Sequence, residues 1–163
     1  MSDLLNQLEI YINAQKGVGF NAFVFSAGMI VSAVLLHLNG TSQLAQGLRN
    51  GTFVIGIVLI AMGIGLRISQ ENIKKERQAL YQQDEVEFKK VEIERMTKVK
   101  NNYPKAQAIM AGLVVISLIT FLLVKSPLWQ GISLSFTVFF VGNIIMEAFS
   151  YLSIISYFQS LTN

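Results

Sequence analysis

The chain has 163 residues, 52% of them apolar and 14% charged, with a formal net charge of +3 and a mean hydropathy of +0.49. That balance is too apolar for a water-soluble domain of this length. It contains no Cys and one His, which excludes a disulfide framework, a thiolate metal site and a histidine-built zinc site.

Charge is concentrated in one place. Ten of the thirteen Lys and Arg residues and seven of the ten acids lie between Arg67 and Lys105. Long uncharged runs flank that stretch on both sides. A charge costs several kcal/mol at the centre of a bilayer, and basic residues near membrane segments stay on the cytoplasmic side. The pattern therefore predicts an all-α integral membrane protein with four transmembrane helices and a cytoplasmic helical hairpin between spans 2 and 3. The sequence pI of about 9.2 records this inside-positive bias rather than nucleic-acid binding.

Taken in chain order, residues 1–16 form an amphipathic N-terminal helix. Leu4, Leu8 and Ile12 recur at i, i+4, i+8, and the segment lacks the basic start of a signal peptide. Spans 1 and 2 occupy 17–66. Their apolar parts run from Phe20 to Leu38 and from Thr52 to Leu66, joined by a polar turn over 39–50. The second is close to the shortest run that crosses a ~30 Å hydrocarbon layer. Gly28/Ser32, Ala61/Gly65 and Ala108/Gly112 are small-xxx-small pairs of the kind that mark close helix packing.

Residues 67–103 read as the hairpin, with helices over about 67–82 and 84–101. Asp84 is the predicted N-cap of the second helix, and Glu87 completes a capping box. Glu71/Lys75, Glu85/Lys89 and Glu94/Lys98 have the favourable i, i+4 spacing. Asn101-Asn102-Tyr103-Pro104 is expected to break the helix, because a residue before Pro disfavours the α region. Leu80, Tyr81, Phe88, Val91, Ile93 and Met96 exceed what one two-helix contact buries. They are the expected hairpin interaction face, for further copies of the chain or for a cytoplasmic protein partner.

Spans 3 and 4, with a helical tail, fill 104–163, and Lys125-Ser126 is their tight turn. Pro127 suits the first turn of span 4 because its missing N–H would be unsatisfied there in any case. Glu147 is the one acid in an otherwise apolar run, with Asn143 and Ser150 on its face. Twenty residues after Pro127, it is placed about 30 Å along the helix, at the cytoplasmic interface. His37 and Trp129 suit interfacial positions.

No catalytic, cofactor-binding or metal motif is present, and no nucleophile–base or carboxylate pair converges in a span. The functional expectation is a small homo-oligomeric four-span inner-membrane protein that acts as a pore or channel, its hairpin mediating assembly. Asn21, Ser26, Ser32, Asn143 and Glu147 are the candidate pore or polar membrane face. The alternative is a non-catalytic membrane adaptor or immunity-type protein that holds a partner through its hairpin or bundle. Either reading puts the protein in the cell membrane among lipid, with both termini and the 67–105 segment cytoplasmic, and without a cofactor or nucleic-acid partner.

Overall fold

A computed structural model describes residues 3–162. They form four helices: α1 (Asp3–Asn39), α2 (Gln43–Gln83), α3 (Glu85–Leu123) and α4 (Pro127–Thr162). Each has 36–41 residues, or about 55–60 Å at 1.5 Å per residue, roughly twice a hydrocarbon layer. All four are long and apolar enough to cross a membrane. The chain is an all-helical up-down bundle compatible with a multi-pass membrane protein. Every helix has an apolar half and a distal half, the latter built from residues 3–16, 67–83, 85–105 and 148–162. The helix expected over 1–16 is the start of α1 itself; residues 1, 2 and 163 lie outside the described residues.

The connections are shorter than the sequence suggested. The polar turn expected over 39–50 shrinks to residues 40–42, because Ser42 caps α2 early, accepting a hydrogen bond from the Ala45 N–H at 3.2 Å. Span 2 thereby gains about two and a half turns. At the distal end one residue, Asp84, separates two helices. Its N–H donates to the Leu80 carbonyl at 2.9 Å, and its carboxylate accepts from the Val86 and Glu87 N–H groups at 2.9 and 3.0 Å. The turn falls where expected, but the reciprocal half of the capping box does not form. The Asp84 N–H that Glu87 would have engaged already closes α2.

Pro104 does not break the chain; it sits inside α3. Its ring removes the donor for the Lys100 carbonyl, but Pro104 is exposed and that carbonyl belongs to the distal, polar half. Stacking of Tyr103 on Tyr151, with centroids 4.1 Å apart, holds this stretch of α3 against α4. Val86, Phe88, Val91 and Ile93, whose spacing would also suit a strand, lie in α3.

In the apolar half, glycine sets the packing. A Cβ on Gly47 would run into the Leu128 carbonyl, and one on Gly131 into the Leu44 carbonyl and Leu48 amide, so α2 and α4 cross backbone to backbone. Gly51 continues the crossing, with Ser135 Oγ 2.6 Å from where its Cβ would be. Toward α1, Gly63 faces the Gly19 carbonyl at 2.9 Å, and Ser26 Oγ donates to the Gly56 carbonyl at 2.8 Å. The small-xxx-small pairs singled out in the sequence are elsewhere. Gly28, Gly65 and Gly112 have nothing within 4 Å of a built Cβ, and Ser32, Ala61 and Ala108 are exposed. Helix α3 packs mainly on α4, where Ser117 and Thr137 share a buried hydrogen bond of 2.9 Å. Only 6% of the most apolar stretch of α3 is buried.

The distal half is a conventional side-chain core. Leu8, Tyr11, Ile12, Phe88, Met96, Ile154, Tyr157 and Leu161 form one buried cluster, flanked by Ile73, Leu80, Tyr81, Ile93 and Val99. The apolar surplus of the α2–α3 hairpin is thus covered by the N-terminal turns of α1 and the C-terminal turns of α4. Lys16–Glu71 and Lys74–Glu9 ion pairs join α1 to α2 around it. Glu71 pairs across helices rather than with Lys75, whereas Glu94–Lys98 forms within α3 as expected, at 2.7 Å.

The two kinds of glycine respond oppositely to a methyl group. Gly47→Ala or Gly131→Ala must push α2 off α4 and should destabilise the fold by about 1–3 kcal/mol. Gly65→Ala, in open space, should be neutral or stabilising by up to about 1 kcal/mol through helix propensity. Unfolding titrations in mixed detergent micelles check both.

Candidate functional site

Two polar constellations lie within the bundle. The first is in the distal core. Glu92 is fully buried on the α3 stripe that carries Phe88 and Met96. Arg95 grips it with two hydrogen bonds, Nε to Oε2 at 2.9 Å and Nη2 to Oε1. From α2, Arg77 Nε lies 3.3 Å from Oε2, close enough for charge pairing but misaligned for a hydrogen bond. Arg95 also stands 5.4 Å above the ring of Tyr11, which stacks on Tyr157 at 4.9 Å. All four helices therefore meet at one carboxylate.

Electrostatics there follow from burial. Desolvation raises the Tyr11 pKa, opposed by the nearby Arg95 charge. It raises that of Tyr157 further, with the Glu92 negative charge adding to the effect. The Tyr157 hydroxyl is buried without a well-aligned partner. An acid–base or nucleophilic role needs a path for substrate. The Glu92 side chain is completely buried, hydrogen-bonded by Arg95 and charge-paired with Arg77, an arrangement that ties α3 to α2.

The second constellation lies at the boundary between the two halves. Uncharged sequence begins just past Lys16 on α1 and Lys105 on α3 and ends at Arg67 on α2. At this level a cleft of about 470 Å³ runs between the helices, lined by Gln15, Leu66, Lys98, Asn102, Tyr103 and Glu147 among others. A second cavity, about 360 Å³, adjoins it on the apolar side and shares Val18, Leu66 and Glu147. Gln107 Nε2 donates to Glu147 Oε2 at 2.7 Å. Above it, Gln15 of α1 bridges Ser150 and Ser153 of α4, each at 3.0 Å.

The residues expected to form one polar membrane face are dispersed. Asn143 and Glu147 line a common cavity. Ser26 is spent on the α1–α2 crossing, while Asn21 and Ser32 are exposed on α1, with Ser32 bonded back to the Gly28 carbonyl at 2.8 Å. The expected hairpin interaction face is likewise not free. Phe88 and Met96 are buried, and Leu80, Tyr81, Val91 and Ile93 are partly buried. At the other end of the bundle, His37 Nδ1 lies 3.1 Å from Arg49 Nη1.

Sequence reasoning missed Glu92, Arg77, Arg95, Tyr11 and Tyr157. A signal was present: Glu92 interrupts the i, i+4, i+8 stripe of Phe88 and Met96, a place where an acid needs a cation. Among the described residues there is no cluster of three His, Asp or Glu side chains able to hold a metal ion. No family model, curated protein or solved structure matches the chain.

Removing the Glu92 charge leaves Arg77 and Arg95 facing one another in the core, so Glu92→Gln should cost about 3 kcal/mol or more. Glu94→Gln, which breaks an exposed pair, should cost under about 1 kcal/mol. Unfolding titrations compare them. Alkali supplies a second test. Tyr11 and Tyr157 keep their protons to higher pH folded than unfolded, so above about pH 10 the unfolded chain gains by ionising first. Thermal stability should fall as pH rises from 9 to 11.5. Tyr157→Phe, which deletes an unpartnered hydroxyl, should soften that fall without lowering stability at pH 7.

Proposed function

We propose that this chain is a non-catalytic membrane subunit that works as a homo-oligomer, its copies meeting through the apolar halves of α1 and α3. One observation carries the reading. Glycine costs about 1 kcal/mol relative to Ala inside a helix, and most glycines of the apolar half are used for close helix crossings within the chain. Gly28 and Gly112 are not; a built Cβ at either meets nothing. Both are exposed, beside exposed Ser32 on α1 and Ala108 on α3. In a bilayer, where apolar side chains gain nothing by leaving lipid, small residues favour helix association because backbones approach closely.

Assembly through these faces differs from assembly through the hairpin, whose apolar residues pack within their own chain. It supports a pore reading of a particular kind. A conducting path would run between copies, with Asn21 and Ser32 as its polar lining, and not through the filled interior of one subunit. The distal half would face the cytoplasmic side of the inner membrane, an orientation supported by the inside-positive charge distribution.

A second reading, a membrane adaptor, is favoured by the hairpin tip. Val86 there is 80% exposed, in a shallow groove with Glu85, Lys89, Lys90 and Ile93. An apolar side chain ringed by charges is a small docking surface for a cytoplasmic protein, and Val86→Asp would weaken such docking without touching the membrane contacts.

Native mass spectrometry from lipid nanodiscs tests the main reading. The wild-type chain should appear as an oligomer. Gly112→Leu should shift it toward monomer while leaving helical content and melting of the subunit unchanged. A wild-type chain that is monomeric at all concentrations overturns the proposal.

A further inference from the structure

The cavity on the apolar side of the boundary, between α1, α2 and α4, has an unusual balance of groups. Its walls are Val18, Ala22, Met62, Leu66 and Met146, with Gly65 opening one side, and its polar atoms come from Asn143 and Glu147, one turn apart on α4. Each offers an acceptor that no protein group engages. The Asn143 amide nitrogen donates to the Phe139 carbonyl at 2.8 Å; since a carbonyl only accepts, the side-chain oxygen is the atom left over. Gln107 engages Glu147 Oε2, and Oε1 has no hydrogen bond among the described residues. Asn143 is only 5% exposed and lines the cavity. Acceptors that face a largely apolar cavity and have no protein donor suit a ligand that brings its own N–H groups.

The charge selects the ligand class. A carboxylate in an apolar cavity favours a cation and rejects an anion. A hard metal ion wants six or more oxygens, and two side-chain acceptors among thioether and aliphatic walls do not supply them. An ammonium group needs only two or three acceptors, and an apolar body attached to it suits the remaining surface. About 360 Å³ falls within the range of cavities that hold small organic ligands. Met62 and Met146 are flexible and polarisable, suited to bodies of varied shape. Arg67, next to Leu66 on α2, and Arg95 and Lys98 in the adjoining cleft are basic groups nearby, and among the described residues none forms an ion pair with Glu147. Lys98 lies nine residues from Gln107 along α3, about 13 Å at the helical rise, and is paired with Glu94.

We propose that this cavity binds a monovalent amphiphilic amine, its ammonium donating to Glu147 Oε1 and the Asn143 side-chain oxygen and its apolar body lying against Met62, Leu66 and Met146. The site opens beside the boundary cleft, at the depth where the head of an amphiphile rests. It is complete within one subunit and so stands or falls separately from the oligomer: a monomer would still bind.

The test is equilibrium binding of radiolabelled decylamine to the full chain in phosphatidylcholine nanodiscs, with decanol and decanoate as competitors. Saturable binding at one amine per chain is expected, with little competition from either analogue. Glu147→Gln should weaken it at least about tenfold, the scale of a lost charged hydrogen bond. Gly65→Leu should weaken it similarly by filling the cavity while leaving Glu147 and Asn143 in place. A Cβ there meets open space, so folding should be preserved, and the variant serves as the control should Glu147→Gln prove unstable. Equal competition by decanol, unaltered binding in both variants, or displacement by equimolar sodium would each overturn the proposal.

Discussion

The backbone contact between α2 and α4 governs the rest of the molecule. In lipid there is no hydrophobic force drawing helices together, so the closest approach that glycine permits decides which helices become neighbours. Gly47 and Gly131 have the opposing backbone where a side chain would be. That makes α2–α4 the short diagonal of the bundle and pushes α1 and α3 outward. Helix α1 keeps α2 through Gly19, Gly56 and Gly63, while α3 keeps α4 and leaves most of its apolar stretch uncovered.

A packing mode that tight cannot continue past the boundary. The charge-rich distal half buries its apolar surface with large side chains: Tyr11, Phe88, Met96 and Tyr157. These hold helices further apart than glycine does, so all four can meet around one centre. Glu92 with Arg77 and Arg95 occupies that centre. A buried ion pair adds little net stability over a well-packed apolar replacement. What it does here is restrict register: a slip of either α2 or α3 by one residue would leave a buried charge unpaired.

Much of this was legible in the residues, and the exceptions have physical causes. Charge partition located four helices, and Asp84 located the hairpin turn, because both depend on local chemistry. Pro104 misled, since a proline's effect on a helix depends on whether the freed carbonyl is wetted and whether a neighbour such as Tyr151 holds the far side. The polar loop over 39–50 misled because Ser42 caps so efficiently that polar Gln43, Gln46 and Asn50 join the helix. The hairpin's apolar residues do exceed a two-helix contact, and terminal segments of the same chain, more than fifty residues away, cover them. Among the glycines, spacing alone did not separate Gly47 and Gly63, which carry crossings, from Gly28 and Gly65, which do not. Only the arrangement of the other helices distinguishes them.

The boundary cavities follow from the same change of packing mode. Between Gly63, where α1 and α2 touch backbone to backbone, and Tyr11, where whole rings stack, the spacing has to widen over about two turns of helix. No side chain fills that wedge completely, and the residues around it are modest in size: Val18, Ala22, Gly65 and Ser150. The polar groups of α4 nearest the wedge, Asn143 and Glu147, are consequently left with acceptors that neither lipid nor a neighbouring helix satisfies. A void of this origin is part of how the two halves are joined and cannot be closed without changing one of them. An occupied wedge would lower its cost by filling volume and supplying donors to the stranded acceptors. Ligand binding and the mechanical coupling of the two halves are then aspects of one feature of the bundle.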